Sequence, residues 1–576
     1  MKKMLLPAAL LLSAAGAGYV ALQNATSQPK LASLMPGGAL LYLEAPDFGN
    51  LLRDWDASKF KADWLQSANY AVYSRSNLFT KLEELYQQYG AAAGFLPDLK
   101  GVIELAGKES ALALYEVRDV EFLYVSRIAD GDLMKSRLWA VREKFEQRQA
   151  GGVSFYLRAD PASKRIVAFA FAKGYLLIAT RDDLVARALE LMNGSGNPST
   201  ASDRWYHDAV EAAPNRGELR LVMNLESIVK SVYFRSYWVQ RNTSLVRQYW
   251  AAVADVKRSG GNIVENRVFL RAPDSVGPAP TAASSAAISS LVALVPPDAG
   301  LYRASYAGDP AEVAALIVQR LAGPQPQIAR EWRDAPAAVS ADLRAGTEAD
   351  LETHIDEQPL PPDAGNAEAL AAARTLADKV IGHAHLLVQS SAPPVGPFVQ
   401  LHTAMVLDGS EEWDARVVRN ALALVAGRLW TTSQLGAGWL TETLGRHSVE
   451  HLDGLGTLAF AVQGRLLFLS NDPALLASLL DRIGTSGTAG SLAYAAGFRH
   501  LRERANYERI MKALDFSRPA QYSGIIMYDV SGGLPTFFSG NIASLSHVLS
   551  KLSEIRMSEE QTGAATLQTV VYQMAP

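Results

Sequence analysis

The sequence predicts an α+β fold: two tandem related units, each a mainly antiparallel sheet with helices packed on one face. Three observations predict it. The opening Leu34-Met35-Pro36-Gly37-Gly38-Ala39-Leu40-Leu41-Tyr42 returns as Leu294-Val295-Pro296-Pro297-Asp298-Ala299-Gly300-Leu301-Tyr302, 260 residues on. The run from Ala168 to Asp182 returns from Leu458 to Asp472, 290 residues on. Two echoes in the same order, at nearly the same offset, point to one long duplicated unit. Third, apolar runs follow one another across short glycine turns, a pattern of hairpins rather than of a doubly wound parallel sheet.

The elements follow in order. Lys2 and Lys3 precede an uncharged, mostly apolar run from Met4 to Leu22. Two cations before about 20 apolar residues predict a transmembrane signal anchor over residues 1–25, with the rest of the chain outside the cytoplasm. Cleavage at Ala15-Gly16-Ala17, with secretion to the periplasm, is the alternative. Gln23 to Ser33 is a polar tether. The first unit runs from 34 to 272. Leu40 to Leu43 reads as a strand closed by Pro46, and Phe48 to Tyr89 as broadly helical. Ser110 to Tyr115 and Phe122 to Val125 read as strands. Met134, Leu138, Val141 and Phe145 recur at the period of an amphipathic helix. Val167 to Ala172 and Leu176 to Thr180 make a hairpin around Lys173-Gly174. Asp182 then caps a helix with Leu184, Ala188 and Leu191 inward. Leu219 to Leu225 and Val268 to Arg271 supply closing strands.

Pro273 to Ser290 contains three prolines among small residues and reads as a linker. The second unit, 291–576, repeats the plan. Trp413, Val417, Ala421 and Leu424 have helical spacing. Asn471 or Asp472 caps a helix with Leu475, Leu479 and Ile483 inward. Ile525 to Tyr528 and Thr569 to Tyr572 close the unit as strands.

Composition bounds the chemistry. The 576 residues are 49% hydrophobic and 20% charged, enough for a normal core in each unit. A formal charge of −4 disfavours nucleic acid as a partner. The chain has no cysteine, which excludes disulfides, thiolate nucleophiles, cysteine-bound zinc, iron–sulfur clusters and lipidation at an N-terminal cysteine.

His447-Ser448-Val449-Glu450-His451 fits the inverted zinc-peptidase pattern H-x-x-E-H, which needs a helix to bring both imidazoles to one metal. Its counterpart in the first unit, Gly152 to Tyr156, leads into a strand. On a strand the two histidines would lie about 13 Å apart, too far for one zinc. His383 and His385 would share one strand face, with His402 on a later strand as a conceivable third ligand. No G-x-S-x-G elbow or P-loop is present. No metal or cofactor is therefore assigned, and an enzyme is not favoured.

One stretch reads as a recognition surface. Tyr233, Phe234, Tyr237, Trp238, Tyr249 and Trp250 are placed on one helix with Arg235, Arg241 and Arg247. Tyr233/Tyr237 and Phe234/Trp238 are i,i+4 pairs, so the helix carries an aromatic stripe. Tyr233, Phe234, Tyr237, Trp238 and Arg241 are the partner-binding candidates, since aromatic residues with arginine are frequent interface anchors. Packing of the stripe onto the sheet is the competing reading.

The openings at 34–42 and 294–302 and the hairpin–helix echoes at 167–192 and 457–483 resemble uncharacterised bacterial envelope proteins with an N-terminal anchor and a duplicated α+β ectodomain. Some such families are encoded beside alpha-2-macroglobulin-like proteins, and the resemblance implies an accessory role in the envelope. It supplies no catalytic residue. The function expected is a membrane-tethered extracytoplasmic binding or scaffold protein, non-catalytic, held in the inner membrane and acting on an envelope protein partner. A metal-dependent hydrolase using histidines of the second unit and an amphiphile carrier with an apolar cavity between the units are the alternatives.

Overall fold

The computed structural model describes residues 30–575 apart from 68–69, 71–72, 76, 231–245, 247, 274–279, 323–366, 394–399, 431–438, 454–456, 486–491, 507–508 and 510–551. Its contacts divide the chain into two units. Unit 1 is Met1–Arg53, Glu83–Glu211 and Leu219–Asn224; unit 2 is Asp54–Leu82, Ala212–Glu218 and Leu225–Pro576.

In unit 1 the strands are β1 (Leu41–Ala45), β2 (Ser110–Glu116), β3 (Glu121–Arg127), β4 (Glu146–Ala150), β5 (Val153–Ala159), β6 (Ile166–Ala172), β7 (Tyr175–Ala179) and β8 (Leu219–Met223). They pair in the order β8-β1-β2-β3-β7-β6-β5-β4, all antiparallel. Alternation then sorts side chains to two faces. Val167, Phe169 and Leu176 join Ala92, Ile128, Leu133 and Phe145 in one core. Ala168, Ala170 and Leu177 are also fully or almost fully buried, on the opposite face, where the helix α1 (Asp182–Met192) packs against β6 and β7. Leu184 and Ala188 of α1 are buried as its period requires.

Unit 2 contains β9 (Tyr249–Ser259), β10 (Asn262–Arg271), β11 (Leu301–Tyr306), β12 (Val380–Ser391), β13 (Leu401–Gly409), β14 (Trp439–Leu444), β15 (His447–Asp453), β16 (Thr457–Gln463), β17 (Leu466–Ser470), β18 (Tyr494–Phe498), β19 (Leu552–Thr562) and β20 (Ala565–Met574). Their antiparallel order is β9-β10-β20-β19-β18-β11-β12-β13-β17-β16-β15-β14. The last eight of these repeat the strand order of unit 1, with β18 in the place of β8 and β11 in the place of β1. Tyr42 and Tyr302 both sit on the second strand of that order, in β1 and β11, each with a paired strand on either side.

Helices cover both faces of the centre of this sheet. Leu387, Met405, Leu407, Phe460 and Leu469 pack with helices α3 (Pro310–Ile317), α4 (Ala367–Ala377) and α5 (Ala415–Trp430). Leu386, Val388, Val406 and Phe468 pack with α2 (Ala282–Val292) and α6 (Pro473–Leu480) on the other face. The α+β, mainly antiparallel class is as the sequence predicts, with a second helical layer added.

Several local expectations are corrected. Among the described residues no helix is long and apolar enough to cross a membrane. The transmembrane helix expected at the N-terminus is not supported, and residues 1–29 lie outside the described set. Residues 282–290, read as linker, belong to α2: Thr281 caps it by accepting from Ser284 N, and its small Ala and Ser side chains let it lie close on β12. The single helix expected around Met134–Phe145 breaks into Asp130–Met134, Arg137–Ala140 and a 3-10 turn, because Ser136 caps a new helix by accepting from Trp139 N. Met134 is left 59% exposed. In α5 the buried face is Val418, Ala421, Leu422 and Val425; of the expected spacing Trp413 and Ala421 are buried, while Val417 and Leu424 are exposed. Tyr249 and Trp250 lie in β9, not on a helix; the ring of Tyr249 sits 5.1 Å from that of Phe269 on β10.

Candidate functional site

Two assemblies gather chemistry-bearing side chains, one in each unit. In unit 1 three chain segments converge. The helix Leu99–Ala106 ends at Gly107, whose φ of +59° is left-handed. A Cβ there would stand 2.2 Å from the Arg127 carbonyl oxygen, so only glycine lets the helix end close on β3. Lys108 N then donates to Arg127 O at 3.0 Å, and Ile128 N donates to Gly174 O at 3.1 Å. Above this floor lies an open groove of about 1020 Å³. Its lining includes Arg53, Lys108, Arg127, Lys135 and Lys173 against Glu104, Asp130 and Asp132. Arg127 is held by Glu109 at 3.1 Å, donates to the Tyr175 hydroxyl at 3.3 Å and lies 5.5 Å from the centre of that ring. Lys173 donates to Met192 O and Asn193 Oδ1, and Arg53 donates to Asn50 Oδ1. A groove of this size and mixed lining suits a short acidic segment or a small anionic molecule.

In unit 2 the register lines up a polar row across six strands. Arg267 on β10 faces Gln568 on β20, which faces Glu559 on β19, then Tyr494 on β18, Ser305 on β11 and His385 on β12. Arg267 donates to Gln568 Oε1 at 2.8 Å and is gripped by Glu265 at 2.7 Å. Arg303 stacks over Tyr494 at 5.6 Å. Burial raises the Glu559 carboxyl and the Tyr494 phenol above their ordinary values. At the inner end Ser305 and His385 are each 4% exposed. Burial drives the His385 imidazole down to about 4, with Arg303 adding to that and a hydrogen bond to the His383 carbonyl opposing it. A carbonyl can only accept, so Nδ1 carries the proton toward His383 O at 3.3 Å. The neutral ring then accepts from the Ser305 hydroxyl at Nε2, 3.1 Å away. The pair is satisfied and enclosed, and its chemistry here is to tie β11 to β12.

The other histidine candidates are dispersed. His383 sits at φ +51° in an irregular stretch of β12, where Gly382 also has positive φ. His402 faces Ser390 and is bound to Asp472 at 2.6 Å. His385 faces Leu407, five residues along β13 from His402, or about 17 Å. His447 and His451 lie on β15, as the repeat requires, and each turns to its own carboxylate: Asp481 at 3.0 Å and Glu442 at 3.6 Å. His207, Asp208 and Glu211 place ligating atoms within 4.8 Å of one another, on an exposed stretch of the helix Arg204–Ala212. Their i, i+1, i+4 spacing on one helix is legible in the sequence. Tyr233, Phe234, Tyr237, Trp238 and Arg241 lie outside the described residues. The groove and the polar row left no sequence signal of their own, since both depend on which strands pair and in what register.

No protein-family model matches the chain, and no curated protein matches it. Among solved structures, crystal form I of TP0453 is 9% identical, with 44% of this chain and 82% of that chain covered, at a TM-score of 0.24. Crystal form III of TP0453 is 11% identical, with 48% and 89% covered, at 0.25. Likeness at those scores carries no argument about fold or function.

Proposed function

We propose that this chain is an exported binding or scaffold protein of a bacterial envelope that captures its partner through the groove of unit 1. The observation that carries the reading is the groove itself: about 1020 Å³ of open space walled by five cationic and three acidic side chains and Tyr175. Such a lining recognises carboxylate-bearing segments by charge and by hydrogen bonds from Arg and Lys. Export is supported by Lys2 and Lys3 ahead of the apolar run. The partner proposed is an envelope protein, on the strength of a layout that resembles families encoded beside alpha-2-macroglobulin-like proteins.

A photo-crosslinking residue at Lys135, in cells of the native host, should give a discrete adduct. The same position in a chain carrying Lys108→Glu and Arg53→Glu should lose at least ten-fold of it, with an unchanged unfolding midpoint. Equal adduct in both would remove the groove from the function. A reporter active only outside the cytoplasm, fused after Pro273, should be active; activity of a cytoplasm-only reporter at that point would overturn export.

A further inference from the structure

The charges that line the groove of unit 1 fall into two sets. Arg53 is bound to Asn50, Arg127 to Glu109 and Tyr175, and Lys173 to Met192 O and Asn193. Glu104, Lys108, Asp130, Asp132 and Lys135 make no side-chain hydrogen bond or ion pair with any described residue. The uncommitted set therefore holds both signs, with carboxylates in the majority. Its order is the same in both lining segments. Asp130 and Asp132 begin the helix Asp130–Met134, and Lys135 stands at its end. Glu104 lies in the helix Leu99–Ala106, and Lys108 follows the left-handed Gly107.

The counterpart of this junction in unit 2 is closed. Gly464 stands in the β16–β17 turn, which matches the β6–β7 turn holding Gly174. Its carbonyl accepts from Trp413 N at 3.0 Å, as the Gly174 carbonyl accepts from Ile128 N at 3.1 Å. The Trp413 indole is buried, donates to Arg465 O at 2.8 Å and shares a core with Ala377 at the end of α4. Unit 1 leaves about 1020 Å³ open at the same junction and lines it with charge. Uncommitted charges are ordinary on a surface. Five of them around an opening that the other unit fills with tryptophan form a recognition set.

A purely acidic ligand would meet Lys108 and Lys135 but would also lie beside Glu104, Asp130 and Asp132, and like charges in contact select against a partner. Resting on the reading of the groove as the capture site, we propose that the captured segment of the partner protein is of mixed charge. Its cation is set against Asp130 and Asp132, and its carboxylate against Lys135 and Lys108. Asp130 and Asp132 precede Lys135 by about 4–8 Å along the helix at 1.5 Å for each residue. In an extended chain, side chains two positions apart lie on one side and about 7 Å from each other. A Lys-x-Glu or Glu-x-Lys segment therefore meets both sets at once.

Titration calorimetry of the full chain in mild detergent tests this with short end-blocked peptides of Ala and Ser. They differ only at two positions separated by one residue: Lys and Glu in either order, two Glu, or two Lys. One mixed peptide should bind at least five-fold more tightly than the two-Glu and two-Lys peptides. Asp130→Asn with Asp132→Asn should abolish its advantage over two Glu, and Lys108→Gln with Lys135→Gln its advantage over two Lys, both at an unchanged unfolding midpoint. Equal or tighter binding of the two-Glu peptide to the wild type overturns the proposal and leaves an acidic segment as the occupant. Equal binding of all the peptides overturns it as well, since the five charges then face only solvent. Tighter binding of a free-ended alanine peptide than of any blocked one overturns it by placing chain termini in the groove. If no peptide binds, the proposal also falls; the crosslink from Lys135 then decides separately whether the groove captures a partner, so the two readings fail by different results.

Discussion

Replacing His385 should remove a large part of the acid sensitivity of unit 2. The imidazole has an ordinary value near 6.5 and is driven to about 4 in the folded chain. Between those values the unfolded chain binds a proton that the folded chain refuses, so stability rises with pH across the window. The contribution is complete above about 6.5, and it is lost as pH falls from there through 4. A difference of 2.5 between the two values corresponds to about 3 kcal/mol at 1.36 kcal/mol for each. His385→Gln cannot titrate, and its amide oxygen can still accept from Ser305. Urea unfolding of wild type and variant should be measured at pH 7, 5.5 and 4. The wild type should lose about 3 kcal/mol more than the variant over that range, with little difference in how the two respond between pH 7 and 8. Parallel stability curves for the two chains from pH 7 to 4 would refute the argument, as would an imidazole resonance of His385 titrating near 6.5.

Three more outcomes are expected. Gly497→Ala places a Cβ 2.2 Å from the Tyr302 ring on the neighbouring strand, and should cost about 2 kcal/mol or more in a denaturant titration. Phe460→Ala empties a site that is 1% exposed and should cost about 3–5 kcal/mol, lowering the unfolding midpoint without changing the far-ultraviolet dichroism at 20 °C, a temperature at which the fold is retained. Asp472→Ala removes the cap that accepts from Leu475 N at 3.0 Å and the partner of His402, and should cost about 1 kcal/mol; Asp472→Asn, which keeps the cap, should recover most of it.

The sequence by itself determined the elements whose signal is local. The openings ending in Tyr42 and Tyr302 lead into strands, the glycine turns at Lys173-Gly174 and Gly464 make hairpins, and Leu184 and Leu475 face inward from the helices that follow. The repeat also put His447 and His451 on a strand when the bare motif suggested a helix. Periodicity and turn chemistry are short-range, so a few neighbouring residues carry them. What only the tertiary structure decided is everything that depends on register. Arg267, Gln568, Glu559, Tyr494, Ser305 and His385 are scattered over 302 positions of sequence and form one row only because six strands align at those residues. The groove likewise needs Gly107, Arg127 and Gly174 to meet from three segments. The Ala/Ser run at 282–290 looks too small to fold alone, and its helix exists because β12 offers a surface flat enough for small side chains to approach closely. A residue's own neighbours in the chain state what it prefers; which strand lies beside it is fixed by burial summed over the whole unit, and that sum is not written at any one position.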